Sequence, residues 1–324
     1  MKNETQLFSF CAALALACSS VVAHAQAYPT KPVRIVNPFT PGGGVDTVAR
    51  PIAQQLSEMW GQPVIIDNRP GAGTTMGTEL VARATPDGYT LLLTNGSIGT
   101  VPGLYKKLSF DPLKDLAPAV LTITSPYVLS VHPSVKATSV TEFITLAKAS
   151  GSKMAYSSVG QGSLAHLTME LFKSQAKFDM LHVPYKGGAP SLAALMGGEI
   201  QASFQPISSI MPHARSGKLR ALAVSSLKRV ELAAELPSIA ESGFPGFDAV
   251  SWYPIFAPAG TPRPLIQKIN ADVNRILAKP DMRERFLKIG MIPFGGTPQA
   301  LGDYFRTDVK RWNRIIADLG IKPE

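Results

Sequence analysis

Cysteine is nearly missing from this 324-residue chain: there are two, Cys11 and Cys18, both within the first eighteen positions. A body without thiols has no disulfides, no thiolate metal site and no cysteine nucleophile. Long apolar runs are missing as well. Past the N-terminal segment, no stretch approaches the ~20 uninterrupted apolar residues that a membrane-spanning helix needs. Charge is sparse, at 17% of residues, but unbalanced, with a formal net charge of +9. No run of Lys and Arg with interleaved aromatics accompanies that excess, which argues against a nucleic-acid partner. A basic surface does attract small anions over long range.

Motifs of catalysis are scarce. Nothing matches G-x-S-x-G. His132, His166, His182 and His213 show no i, i+4 pair and no cysteine partner, so no metal is expected. Ser163 and His166 stand three apart at a helix start, a spacing too generic to mark a triad. Gly42-Gly43-Gly44 is followed by Val45, Asp46 and Thr47, which is neither a G-x-G-x-x-G fingerprint nor a P-loop. No enzyme activity and no cofactor are expected.

The N-terminus is expected to be a signal peptide at residues 1–25. Lys2 opens a short polar region, an apolar stretch runs from Leu7 to Leu16 and resumes at Val21, and Ala23-His24-Ala25 supplies a small-x-small cleavage pattern. Cleavage after Ala25 leaves Gln26 as the first mature residue and directs the protein to the periplasm. Ala15-Leu16-Ala17-Cys18 offers a second possibility, a lipoprotein box with Cys18 acylated.

The remaining length suits about two domains. Short β-like runs alternate with helical spacing: Val33 to Phe39, then Val48, Ile52, Leu56 and Met59, then Pro63 to Asn68, a helix from Thr78 to Ala84, and Tyr89 to Thr94. This alternation predicts parallel pairing with right-handed crossovers. A long extended stretch, Leu116 to Val131, introduces a second series of the same kind. Another, Val250 to Ala257, precedes helices from Leu265, Met282 and Leu301 onward. Two extended stretches bracketing an inner series predict a discontinuous first domain, residues 26–123 and 251–324, and an inserted second domain, residues 124–250. The crossings between them act as hinges, and the cleft is the natural ligand site.

Two glycine-rich helix starts carry the chemistry. Thr40-Pro41-Gly42-Gly43-Gly44-Val45-Asp46 lies between the first strand and the first helix. Glycines let the backbone approach a ligand and present unpaired N–H groups, and the helix N-terminus adds partial positive charge. Asp46 is expected to cap this helix by accepting from N–H groups one turn on. The same residues also make a plain strand-to-helix turn. The second start is Ser158-Val159-Gly160-Gln161-Gly162-Ser163, in the inner series. Asn95 follows the third strand, Tyr185 follows an inner strand, and Gln205 ends another; all belong at the carboxyl ends of strands, where ligands collect in open α/β sheets. Trp252 and Tyr253, on the second crossing, are either a cleft wall or hinge packing.

At this point a family becomes recognisable. Pro38-Phe39-Thr40-Pro41-Gly42-Gly43, Asp67-Asn68-Arg69-Pro70-Gly71-Ala72-Gly73, Pro86-Asp87-Gly88-Tyr89-Thr90, His182-Val183-Pro184-Tyr185-Lys186-Gly187, Gly217-Lys218-Leu219-Arg220-Ala221-Leu222-Ala223 and Ala257-Pro258-Ala259-Gly260-Thr261-Pro262 closely resemble the Bug family. Its members are the periplasmic receptors of tripartite tricarboxylate transporters. The resemblance implies an α/β, two-domain Venus-flytrap periplasmic-binding-protein fold with crossover hinge strands, no cofactor, and capture of a carboxylate by a monomer that serves inner-membrane transporter subunits. It also implies that a ligand carboxylate meets Thr40 to Gly43 with Asp46 and, from the other side, Ser158 to Ser163, partly through waters.

Two departures from the family pattern matter. Gln205 stands where Asp is common, which argues for a di- or tricarboxylate or an aromatic acid over an amino acid. Gly44-Val45 replaces a common Pro-Thr and removes a hydroxyl beside the ligand seat. A sensory receptor with the same ligand chemistry, or a hydrolase using the cleft, is the alternative.

Overall fold

The computed structural model describes residues 28–321. The expected leader, with Cys11, Cys18 and the cleavage point after Ala25, lies outside the described residues.

Strand β1 (Val33–Asn37) pairs in parallel with β2 (Val64–Asn68) on one side and β3 (Thr90–Leu93) on the other. Leu91, Leu92 and Leu93 are all fully buried, as a strand covered on both faces requires. Helix α1 (Gly44–Trp60) connects β1 to β2. Its inward stripe, Val45, Val48, Ala49, Ile52 and Leu56, follows the helical period and is buried throughout. Gly61, in the left-handed conformation, ends it and returns its N–H to Ser57 O. Helix α2 (Thr75–Ala82) connects β2 to β3. A 3-10 turn, Gly96–Gly99, and a single turn of helix, α3 (Val101–Leu104), then lead away from β3.

Strand β4 (Leu116–Val131) joins two sheets. Residues Leu116 to Pro126 pair antiparallel with β9 (Val250–Pro258), and Leu121 to Thr124 also pair with β10 (Ile292–Gly295). From Tyr127 to Val131 the partners are β7 (Ala202–Pro206) and β8 (Arg220–Val224) instead. The first sheet therefore runs β2-β1-β3-β9-β4-β10. The second, with β5 (Ala155–Ser158) and β6 (Leu181–Pro184), runs β6-β5-β7-β4-β8. Strands β5, β6 and β7 are parallel, repeating the arrangement of β1, β2 and β3. Of the two extended stretches read as crossings, only β4 pairs in both sheets. Strand β9 stays in the first sheet and starts where Val250 faces Pro126, at the point of changeover.

Helix α4 (Val140–Ser150) precedes β5. Helices α5 (Leu164–Ala176), α6 (Gly188–Met196) and α7 (Ile207–Arg215) follow β5, β6 and β7. The second core is rich in phenylalanine: Phe172 lies 5.3 Å from Phe178 and 6.0 Å from both Phe204 and Phe247, ring centre to ring centre. The chain then returns to the first sheet through α8 (Arg263–Ala278), α9 (Pro280–Lys288), β10 and α10 (Pro298–Asp318). Helix α10 serves both cores. Leu301, Phe305 and Val309 pack with Leu92, Trp252 and Phe256. One turn further on, Trp312 and Ile316 belong to the cluster around Phe172. Where the two meet, Trp252 Nε1 donates to buried Asp308 (3.0 Å), and Arg311 holds the other oxygen (2.8 Å).

Several elements differ from expectation; helix α2 starts three residues before the expected Thr78. Apolar spacing in the sequence predicts a short helix over Leu192 to Met196; helix α6 starts instead at Gly188, because Pro190 falls in its first turn, where a missing N–H costs nothing. Helix α7, predicted over Ile210 to Arg215, likewise starts three residues early, directly after Pro206. Strand β10, which carries Pro293 and Gly295 and has no counterpart among the expected elements, forms as an edge strand, where proline is tolerated.

Candidate functional site

The first glycine loop is built around Asp46. This residue is buried, and both carboxylate oxygens are used. Oδ1 accepts from Asn37 Nδ2 (3.2 Å) and Asn68 Nδ2 (3.3 Å); Oδ2 accepts from Gly42 N (3.0 Å) and Arg50 Nε (2.7 Å). Burial pushes the acid upward, but the Gly42 amide, Arg50 and Asn68 outweigh it and hold the pKa below the ordinary carboxylate range. The expected cap is corrected here. Asp46 accepts from an amide four residues upstream, and no side chain caps the helix at Gly43. It shapes the loop and has no oxygen left for a solute.

With Gly42 N committed, the amides of Gly43, Gly44, Val45 and Asp46 have no acceptor among the described residues. These are the orphan donors of a helix start. Thr40, Pro41 and Gly43 are exposed around them. Gly42 sits at φ +82°, a conformation that favours glycine. A Cβ at Gly44 would lie 3.0 Å from the Tyr253 hydroxyl. Tyr253 is buried on β9, so the loop rests on the first sheet at the changeover of β4.

The second loop follows β5. Ser163 caps α5: its Oγ accepts from His166 N (3.3 Å) and donates to Gly160 O (2.7 Å). Ser158 Oγ contacts Gly160 O (2.9 Å), Gly160 N (3.2 Å) and His182 Nε2 (2.7 Å). Gly162 N donates to His166 Nδ1 (3.1 Å). The hydroxyls of Ser158 and Ser163 and the amides of Gly160 and Gly162 are thus engaged within the loop. The amides of Val159, Gln161, Leu164 and Ala165 have no acceptor among the described residues. The predicted residues fix the loop, and their neighbours present its free donors.

The exits of β3 and β5 touch. A Cβ at Gly162 would come within 2.7 Å of Leu104, and one at Gly96 within 3.3 Å of Leu164. Asn95 lies at that junction, its Oδ1 accepting from Ser97 N (3.0 Å). Next to it, Thr94 Oγ1 is buried without a partner among the described residues. Tyr185 N ties β6 to Ser158 O (3.0 Å), leaving the half-buried side chain beside the loop. Gln205 is only 1% exposed. Its Nε2 donates to Ser191 Oγ (3.1 Å), which donates on to Ser157 Oγ (2.8 Å), so Gln205 belongs to a polar chain inside the second sheet. Trp252 is fully buried against Asp308 and Phe305, which makes it hinge packing.

Four contributors escaped the sequence: Leu104 and Leu164, which have no chemical signature, and the rings of His166 and His182, which come from different elements. The described residues include no cluster of three His, Cys, Asp or Glu that suits a metal ion. A cavity of about 580 Å³ lies away from both loops, between α5 and α10, and is lined by Leu171, Lys310, Arg314 and Ile315 among others. It adjoins neither glycine loop and is not the candidate site.

Two parallel strand triads, joined through one shared strand and each opening a helix with unpaired amides, define a two-domain solute-binding protein of the periplasmic type. The comparisons with known proteins agree. A family model described as "Tripartite tricarboxylate transporter family receptor" matches residues 48–321, and the chain belongs to that family. It is similar to BugT of Bordetella pertussis, 35% identical over 300 residues that cover 92% of each chain. Among solved structures, it resembles an R. palustris protein with adipate (TM-score 0.84, 35% identity, 92% of this chain and 100% of that one). It also resembles MatC from Rhodopseudomonas palustris with bound malate (TM-score 0.80, 31% identity, 89% and 100%). The family comprises solute-binding receptors, not enzymes.

Proposed function

We propose that this receptor captures a small di- or tricarboxylate, or an aromatic acid, in preference to an amino acid, and hands it to the membrane subunits of a tripartite transporter. One observation carries the reading: both parallel triads end in helix starts with unpaired amides, and the β3 and β5 exits meet at Gly96, Leu104, Gly162 and Leu164. An anion is what such donors satisfy. Relatives solved with adipate and with malate support the carboxylate class. Gln205 supplies no negative charge to an ammonium group.

In this proposal the amides of Gly43, Gly44 and Val45 face those of Val159, Gln161 and Leu164 across the solute. Thr40, Pro41, Asn95 and Tyr185 line the space between them. Asp46, Gly42, Ser158, Gly160, Gly162 and Ser163 hold the two loops in shape. The changeover of β4 between Pro126 and Tyr127 supports the division into residues 26–123 with 251–324, and 124–250, as the bodies that close.

A thermal-shift series on the chain from Gln26 tests the proposal, with adipate, malate, citrate, benzoate and glutamate as probes. A bound carboxylate at 100 times its Kd stabilises by about 2.7 kcal/mol. Gly43→Leu is expected to abolish that shift while leaving the unliganded Tm within a few degrees. Equal shifts in Gly43→Leu, or a response to glutamate alone, would overturn the reading.

A further inference from the structure

Beneath the second glycine loop lies a stack of rings to which no role has been assigned. His166 and His182 are 4.1 Å apart, Tyr156 is 4.9 Å from His182, and all three rings lie within 18° of parallel. Each imidazole holds one part of the loop. His166 Nδ1 accepts from Gly162 N, so Nδ1 carries no proton and the ring is the neutral Nε2–H form. At Ser158 one hydroxyl proton faces two acceptor positions, Gly160 O and His182 Nε2. Every bond is satisfied when Ser158 donates to Gly160 O and His182 donates from Nε2.

The surroundings favour this uncharged pair. Burial pulls His182 down to about 4, and the neighbouring His166 adds to the effect. Burial lowers His166 too. The charged groups facing the rings are Glu170 and Lys173 on α5, with Asp179 ahead of β6. Glu170 is the anion that would welcome an imidazolium, but its Oε1 already serves Tyr156 Oη and Lys173 Nζ (2.8 Å). Lys173 pairs with Asp179 as well (3.2 Å) and opposes a second positive charge nearby.

We infer that His166 and His182 are positioning residues for the solute: as a neutral pair they hold Gly160 and Gly162 in the shape that leaves the Val159 and Gln161 amides free, and protonating His166 releases the loop and ends capture. A proton on His166 Nδ1 turns an acceptor into a donor that faces the Gly162 amide, so the bond is lost. A charge on His182 sits against the face of His166. The inference rests on the proposed carboxylate site, with acid release as its consequence.

Two measurements test it. In the solute-free chain from Gln26, the ¹⁵N shift of the Gly162 amide is followed from pH 7.5 to 4 alongside the imidazole resonances. The Gly162 signal is expected to move with the His166 midpoint, below 6.5. A Gly162 signal that stays flat while His166 titrates overturns the inference, whatever the solute proves to be. The second measurement is adipate affinity by calorimetry. His166→Ala is expected to weaken binding at least tenfold at pH 7.5. The double variant His166→Asn, His182→Gln is expected to restore it, because Asn Oδ1 and Gln Nε2 reproduce the two contacts. From pH 7.5 to 5 the wild type should then lose at least tenfold more affinity than the double variant; protonation of adipate itself affects both proteins equally. Parallel pH profiles overturn the inference. Failure of adipate to bind the wild type at pH 7.5 counts against the carboxylate reading, and the Gly162 titration then decides the role of the rings.

Discussion

Asp46 and Gly96 show how single residues shape the cleft without offering it a functional group. Asp46 collects donors from the ends of two strands, a loop amide and its own helix. Asp46→Ala leaves Gly42 N, Asn37 Nδ2 and Asn68 Nδ2 without their acceptor, at an expected cost of about 3 kcal/mol in urea unfolding. Asp46→Asn, which keeps one oxygen, should cost less. Gly96 is required by its neighbours, not by its torsion: a Cβ there would sit 2.7 Å from Trp252 Nε1. Gly96→Ala is expected to destabilise by about 2 kcal/mol through overpacking, visible as a lower urea midpoint with an unchanged slope. At this scale the sequence was only partly legible. That an acid belongs at position 46 is plain from its place at a helix start. That it grips the loop behind it is not, because Asn37 and Asn68 reach it only once β1 and β2 lie side by side.

Among the elements, strands and helices with a clear apolar pattern were readable, the four- and five-residue strands β1, β2 and β3 included, and those interrupted by proline or glycine were not. Strand β4 is predicted over its full observed range, Leu116 to Val131, because sixteen extended residues have no competing pattern. Helix α1 is evident from Val48, Ile52 and Leu56. Strand β10 was missed because Pro293 and Gly295 count against a strand, and only the open edge of β4 recruits it. The ring stack was out of reach for a related reason: His166 comes from α5 and His182 from β6, and their meeting is a product of topology. That stack gives these elements a measurable acid sensitivity. His182 falls from 6.5 to about 4 on folding, so between those values the unfolded chain binds more protons than the folded one. Stability is therefore expected to decline as pH drops from 6.5 toward 4, and the lowered Asp46 carboxylate carries the decline further into acid. Calorimetric Tm values across that range check the sign, and a Tm that climbs on acidification would contradict it.

For the molecule as a whole, the sequence conveyed the plan of two α/β bodies with a cleft, since the extended stretches bracket an inner series. It did not convey that α10 binds the two bodies together. Trp312 and Ile316 sit in one core and Leu301, Phe305 and Val309 in the other, and a regular helical stripe looks the same whether it faces one core or two. Trp312→Ala is expected to cost about 4 kcal/mol. Because the loss falls where the two cores join, calorimetry should still show one transition, shifted down, rather than two.

The position of Trp312 and Ile316 also governs the order of assembly. Their partners, from Tyr127 to Ala249, form the middle of the chain, yet that interior is not closed until a helix almost two hundred residues further on than Tyr127 arrives. A ribosome delivers the middle early and the plug late. An emerging polypeptide of this design therefore has no finished half to settle into until its last helix is made.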